Sequence, residues 1–120
     1  MPDPAADRAE ITLRLLAAPT DAGQSGSVSA GRVLEWIDKA GYAAAAGWSG
    51  GYAVTAYVGN VRFTRPVEVG ELVEVSARVV YTGRTSMHIT VDVASGQPGT
   101  RALEPATRCL MIFVSVDDKG

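Results

Sequence analysis

The chain has 120 residues, which is enough for one domain, because two halves would each have too small a hydrophobic core. Hydrophobic residues make up 47% and charged residues 20% of the sequence, a composition that argues against extensive disorder. The formal net charge is −2 and the basic residues are scattered, so we expect no nucleic-acid partner.

The sequence predicts a cytoplasmic protein without a membrane partner. It has no apolar run near the roughly 20 residues that span a bilayer. The first ten residues, MPDPAADRAE, are polar and acidic, unlike a secretory signal. A single cysteine cannot form an internal disulfide.

The chain is predicted to begin with a tail and a strand. Residues 1–8 contain two prolines and two aspartates, which indicates a flexible N-terminal tail. Residues 10–17 alternate in polarity and predict the first strand. Its apolar face would consist of Ile11, Leu13 and Leu15.

A helix is predicted after a loop rich in glycine and serine. Ser29 is a suitable N-cap for a helix over about residues 30–47. The apolar residues that share one face, and should therefore point into the core, are Val33, Ile37, Ala40 and Ala44. Glu35 and Lys39 lie on the opposite face at the spacing of an i,i+4 ion pair.

The rest of the chain is predicted to be β-structure. A long strand over 52–64 should bend near Gly59 and end at Arg65-Pro66. Two alternating strands, joined tightly at 82–84, predict a hairpin. Its inward-facing residues would be Val73, Val75, Ala77, Val79 and Tyr81, then Met87, Ile89, Val91 and Val93. The last strand, 106–116, is more continuously apolar and should be more centrally buried.

This order of one strand, one helix and four strands predicts an α+β fold, in which an antiparallel sheet covers one side of the helix. The other face and edge of that sheet would remain uncovered in a single chain. We therefore expect the chain to associate with a second copy.

Asp38 interrupts the helix pattern, because it lies at the flank of the apolar stripe. The small residues Gly41 and Ala45 should leave space near its carboxylate. Partial desolvation there would raise its pKa from about 3.9 toward the range of a general base. A solvated residue at the edge of an amphipathic helix gives the same pattern, so position alone leaves both interpretations open.

Several stretches together resemble a known family. They are residues 16–21 (LAAPTD), 26–31 (GSVSAG), 36–41 (WIDKAG), 69–71 (VGE), 83–86 (GRTS) and 113–117 (FVSVD). Their order and spacing, over roughly residues 12–118, are similar to those of the hotdog-fold acyl-CoA thioesterases of the YciA and cytosolic acyl-CoA hydrolase type. The resemblance implies a single hotdog domain over 9–118, with a five-stranded antiparallel sheet wrapped around one central helix.

The resemblance also implies a function and its catalytic residues. The family hydrolyses acyl-CoA to a carboxylic acid and CoA, and its catalytic acid on the central helix matches Asp38, as general base or nucleophile. A second polar residue, Asn or Asp in the family, corresponds to Ser27 and would act across a dimer interface. Ala30 replaces the first residue of the usual Gly-Gly pair. Backbone N–H groups of Ala30 and Gly31 would polarise the thioester carbonyl.

The expected partners are the acyl-CoA substrate and further copies of the chain. A homodimer is the minimal unit that the resemblance implies, and a tetramer or a hexamer built as a trimer of dimers remains open. Arg84, Thr85 and Ser86, together with Arg65, could contact the CoA phosphates, although a plain hairpin turn is an alternative. No cofactor is expected besides CoA as part of the substrate.

Other chemistries are disfavoured. The GWSGG segment at 47–51 lacks the glycine spacing of a nucleophile elbow, and His88 lies in mid-strand. Cys109 is predicted to be a core residue, and no residues have metal-ligand spacing, so we expect no metal. Nucleotide-binding glycine motifs are absent. Hotdog-fold hydratases use a histidine just after the central helix, and this sequence has none there. A non-catalytic acyl-CoA-binding protein, suggested by Ser27 and Ala30, remains the alternative function.

Overall fold

The computed structural model describes residues 9–116. Within this range five strands form one antiparallel sheet, and a long helix packs against it. The elements are β1 (Glu10–Leu16), a 3-10 turn (Pro19–Asp21), α1 (Ala30–Ser49), β2 (Tyr52–Phe63), β3 (Leu72–Thr82), β4 (Ser86–Gly96) and β5 (Glu104–Val116). The predicted tail over 1–8 and the predicted domain end at residue 118 lie outside the described residues.

Helix α1 begins where the sequence predicts. The Ser29 hydroxyl accepts a hydrogen bond from the Arg32 N–H at 3.1 Å, which confirms the N-cap. The helix continues two residues past the predicted end and stops at Gly50, whose φ of 73° is readily available to glycine. All four residues of the predicted apolar stripe are buried, together with Trp36, Gly41 and Ala45.

The predicted ion pair between Glu35 and Lys39 is wrong. Glu35 Oε2 instead contacts Arg32 Nη1 at 2.9 Å, on the preceding turn. Arg32 also contacts Asp21 Oδ1 at 3.2 Å. Arg32 therefore connects the first turn of the helix to the 3-10 turn, a contact between elements that helical spacing does not reveal.

The strands lie in the order β1-β3-β4-β5-β2. The last strand, predicted to be more centrally buried, is an interior strand: β5 lies between the central strand β4 and the edge strand β2. From Thr107 to Phe113, alternate residues of β5 are buried in the core, among them Met111 and Phe113. Its continuous apolar sequence therefore also reflects a second, less buried apolar face.

The hairpin of β3 and β4 is confirmed, with one exception. The inward-facing residues of β4 are buried as predicted, as are Val73, Val75 and Ala77 of β3. Tyr81 is instead 63% exposed. The strand register shifts between Val79 and Tyr81, so the alternation is interrupted before Tyr81.

The helix lies very close to β5 at Gly41. A Cβ atom at this position would lie 2.7 Å from Met111 Sδ and 3.1 Å from Phe113 Cε2. Strand β2 bends as predicted near Gly59, since its register with β5 shifts between Gly59 and Arg62. This packing holds the middle of α1 over the sheet, beside the edge strand β2.

Candidate active site

Asp38 lies on α1 beside strand β2. Thr55 Oγ1 of β2 donates a hydrogen bond to Asp38 Oδ1 at 3.3 Å. Asp38 is exposed in the single chain, so the predicted partial desolvation is not present within one copy. Gly41 and Ala45 face the core and do not open space around the carboxylate. Burial of Asp38 therefore requires a second molecule over this face.

Sequence reasoning did not identify Thr55 as a partner of Asp38. The alternation of β2 could have placed its hydroxyl on one face of the strand. Which face lies under α1, however, follows from the packing of the whole sheet, because the two residues are 17 positions apart.

The start of α1 offers two backbone donors. Ser29 binds the N–H groups of the third and fourth helical residues: its hydroxyl accepts from Arg32 N–H, and its carbonyl accepts from Val33 N–H at 3.1 Å. Within residues 9–116, the N–H groups of Ala30 and Gly31 have no hydrogen-bond acceptor. A Cβ atom added at Gly31 would meet no atom within 4 Å, so the adjacent space is open. These amides can bind an oxygen that carries negative charge.

A cleft of about 330 Å³ lies next to this helix start. Its lining is largely apolar and includes Val28, Ala30, Val33, Phe63 and Val67. The cleft can hold an apolar group whose polar end reaches the two amides.

Asp38 and the helix start are well separated within one chain. Asp38 comes seven residues after Gly31, which corresponds to a rise of about 10 Å along the helix axis. A carbonyl group within hydrogen-bond distance of the Gly31 amide is therefore beyond the direct reach of the Asp38 carboxylate of the same chain.

Ser27 is half-buried and already hydrogen-bonded. Its hydroxyl donates to Glu68 Oε1 at 2.8 Å, and its carbonyl accepts from Gly23 N–H at 2.7 Å. The oxygen of the hydroxyl can still accept a hydrogen bond. Its predicted role across an interface stays a prediction.

Arg65 has a structural role in this chain, which the sequence did not predict. Arg65 Nη1 donates to both Ser95 O and Ser95 Oγ at 2.7 Å, and Nη2 contacts Glu71 Oε2 at 3.1 Å. Burial opposes ionisation of Glu71, but the Glu68 N–H and the Arg65 guanidinium outweigh it and hold the pKa of Glu71 below its ordinary value. The guanidinium is therefore occupied by its own chain.

The turn with Arg84, Thr85 and Ser86 lines a second cleft, of about 180 Å³, together with Trp48 and Ser115. Thr85 O accepts a hydrogen bond from Ser115 N–H at 2.7 Å, which fixes the turn to β5. This cleft lies at the C-terminal end of α1, about 27 Å from the helix start by the rise per residue. One chain therefore does not bring the predicted CoA-binding turn to the predicted carbonyl site.

The side chains of Cys109 and His88 pack within the fold and lie outside the candidate site. Cys109 is buried, as predicted, and burial raises the pKa of its thiol. His88 packs edge-to-face against Tyr81, with ring centroids 5.1 Å apart.

Over residues 9–116 no three His, Cys, Asp or Glu side chains are grouped as metal ligands. No helix in the described part of the chain is long and apolar enough to cross a membrane.

Comparison with known proteins relates this geometry to a family. Residues 25–102 match the family model described as the Thioesterase superfamily. The chain is 37% identical over 116 residues to the acyl-CoA thioester hydrolase YciA of Salmonella typhimurium, covering 92% of this chain and 86% of the relative.

Two solved structures have the same fold. One, an apo-hexameric acyl-CoA thioesterase, gives a TM-score of 0.90 at 30% identity, over 96% of this chain and 74% of the other. The second, a hexameric hotdog fold thioesterase of Campylobacter jejuni, gives a TM-score of 0.82 at 32% identity, over 90% and 84% of the two chains. The predicted hotdog fold is confirmed.

Proposed function

Because this chain belongs to the Thioesterase superfamily, we propose that it hydrolyses acyl-CoA thioesters at a site that Asp38 shares with the helix start of a second copy. The products are a fatty or other carboxylic acid and CoA. One observation supports the shared site above all. The carboxylate and the two free amides of α1 face open space, yet they are separated by about 10 Å along the helix axis.

The chemistry follows from these groups. The N–H groups of Ala30 and Gly31 bind the thioester oxygen and stabilise the negative charge that develops on it. Asp38 removes a proton from water, whose oxygen attacks the carbonyl carbon. The tetrahedral intermediate then breaks its C–S bond, and the departing CoA thiolate takes the proton from Asp38. Direct attack by the carboxylate, followed by hydrolysis of the mixed anhydride, is the other route.

The second copy is expected along strand β2. This strand is an edge of the sheet, so its outer backbone groups are free to pair. It also exposes large apolar residues, namely Tyr52, Val54, Tyr57, Val58, Val61 and Phe63. Because Asp38 is hydrogen-bonded to Thr55 of this strand, a partner bound along β2 would also cover Asp38. Covering the carboxylate would exclude water and strengthen its electrostatic interactions. We propose a homodimer as the minimal unit, within a hexamer like those of the two similar structures.

Ser27 and the turn at 84–86 complete the proposed site. The Ser27 oxygen, which retains free lone pairs, accepts a hydrogen bond from the attacking water. Arg84, Thr85 and Ser86 bind the CoA phosphates, with Trp48 at the same cleft. Arg65 is not included, because its guanidinium is bound to Ser95 and Glu71. The proposed reaction uses water and no cofactor, in the cytoplasm.

Thiol release from acyl-CoAs of different chain lengths tests this function. We expect release by the wild type, and a loss of about 10²-fold or more in Asp38→Asn, the range typical of a removed general base. Asp92→Asn is the matched control, because Asp92 is exposed and its carboxylate pairs with Arg108 at 3.1 Å, away from the proposed site. Equal activity in Asp38→Asn would contradict the proposed catalysis. A wild type that binds acyl-CoA without releasing thiol would support the non-catalytic alternative.

A further inference from the structure

A buried carboxylate lies outside the proposed catalytic groups. Glu71 is only 4% exposed, and its Oε2 pairs with Arg65 Nη2 at 3.1 Å. Arg65 is held in turn by the hydroxyl and the carbonyl of Ser95, a fully buried residue of β4. Glu71 is therefore fixed to the sheet on one side.

The other carboxylate oxygen of Glu71 holds the segment that precedes α1. Glu71 Oε1 accepts a hydrogen bond from Glu68 N–H at 2.8 Å. The Glu68 side chain accepts from the Ser27 hydroxyl, and Val67 O accepts from Val28 N–H, both at 2.8 Å. The residues bound in this way come immediately before the N-cap Ser29.

We propose that Glu71 is a positioning residue for the thioesterase reaction. It fixes the 65–71 segment, which fixes residues 27 and 28, and these set the position of the Ala30 and Gly31 amides. The inference rests on the proposed function for its effect on catalysis. The loop before the helix, AGQSGSV, is rich in glycine and serine and has little rigidity of its own. Donors that stabilise a transition state must be held within about 0.5 Å of their working position.

A carboxylate is needed at this position because both of its oxygens accept. One faces a guanidinium and the other a backbone N–H. A glutamine has the same shape but offers one acceptor and one donor. Glu71→Gln therefore loses one of the two contacts whichever way its amide is turned.

The test measures amide exchange and turnover in Glu71→Gln. We expect faster hydrogen–deuterium exchange in peptides that cover residues 27–33, and a fall in kcat of about tenfold with KM little changed, since a displacement below 1 Å costs up to 10²-fold. The matched control is Glu74→Gln. Glu74 of β3 also pairs with an arginine, the exposed Arg14 of β1, at 2.7 Å. The control should change neither quantity.

A second variant separates positioning from a general loss of structure. Glu68 is exposed, so Glu68→Ala is expected to fold even if Glu71→Gln does not. It removes the bond to Ser27 and should raise exchange at 27–33 and lower kcat. If Glu71 acts through Glu68, the two losses in kcat do not add in the double variant.

Unchanged exchange at 27–33 in both single variants overturns this inference, whatever their activity. Additive losses in kcat also contradict it. A wild type that releases no thiol overturns the proposed function instead, and the exchange result still decides whether Glu71 positions the helix start.

Discussion

Ala30 occupies the first position of α1, where proline fits well. Ser29 already has the extended backbone that proline requires of the preceding residue, with φ −67° and ψ 149°. Ala30→Pro therefore removes one N–H donor and retains the helix. We expect kcat for acyl-CoA to fall about 10²-fold, the effect of losing one oxyanion donor, with an unchanged circular dichroism spectrum. Ala30→Ser keeps the N–H and is the control. Full activity in the proline variant would exclude this amide from catalysis.

Glu71 should make stability depend on pH. Its pKa is lower in the folded chain than in the unfolded one, so its contribution is present above the ordinary glutamate pKa, about 4.3, and is lost as pH falls through the folded value. The difference in free energy of unfolding between wild type and Glu71→Gln should be large at pH 7 and should shrink below pH 4. Urea denaturation at several pH values measures it. A constant difference would mean that the charge of Glu71 is unimportant.

The site residues differ in how far the sequence could predict them. Asp38 and the capped helix start follow from local patterns and from the family resemblance. The contact of Asp38 with Thr55 does not, because it depends on which strand lies beside the helix. Arg65 was predicted to contact CoA because a guanidinium suits a phosphate. Within the chain its guanidinium binds Ser95, which lies 30 residues further along the sequence.

At the level of elements, Gly41 determines how closely α1 approaches the sheet. Gly41→Ala would place a methyl group against Met111 and Phe113, and overpacking of this kind costs about 1–3 kcal/mol. Gly31→Ala is the same change on the same helix but in open space, and should alter the free energy of unfolding by less than about 1 kcal/mol. Chemical denaturation compares the two. Equal stability of the two variants would mean that β5 can shift to accommodate the methyl group with no loss in the free energy of unfolding.

Strand β2 is proposed to be the interface, and a charge on it should weaken association. Val58→Lys introduces a cation on this edge strand, a feature that blocks strand pairing. We expect a smaller species by light scattering and less thiol release. Val80→Lys on β3 is the matched control, because both valines are 47% exposed. If both variants keep the wild-type size, β2 is not the interface.

Local signals predicted the elements better than their arrangement. Ser29 and the stripe with Val33 and Ile37 located the helix, and alternation located the first strand and the two strands of the hairpin. The inward side chain predicted for Tyr81 was wrong, and the order of the strands was not predicted. Strand order depends on contacts across the sheet, and a single irregularity after Val79 changes the face of the residues that follow.

At the scale of the whole molecule, the proposed site is divided between chains. Asp38 is exposed and lies beside an edge strand that carries large apolar residues. The helix start, with its free amides and the adjacent cleft, lies about 10 Å from Asp38 along the same helix. Each copy would therefore supply the acid for one site and the amides for the other. A dimer would contain two complete sites, although a single chain contains none.

Subunit complementation tests this division most directly. Asp38→Asn and Ala30→Pro, each nearly inactive alone, are co-expressed with different tags, and the mixed oligomer is purified through both tags. A mixed dimer has one site with both defects and one with neither, so we predict that thiol release returns to about half the wild-type rate for each mixed dimer in the oligomer. Mixed oligomers as inactive as their parents would contradict the shared site and would place acid and amides within one chain.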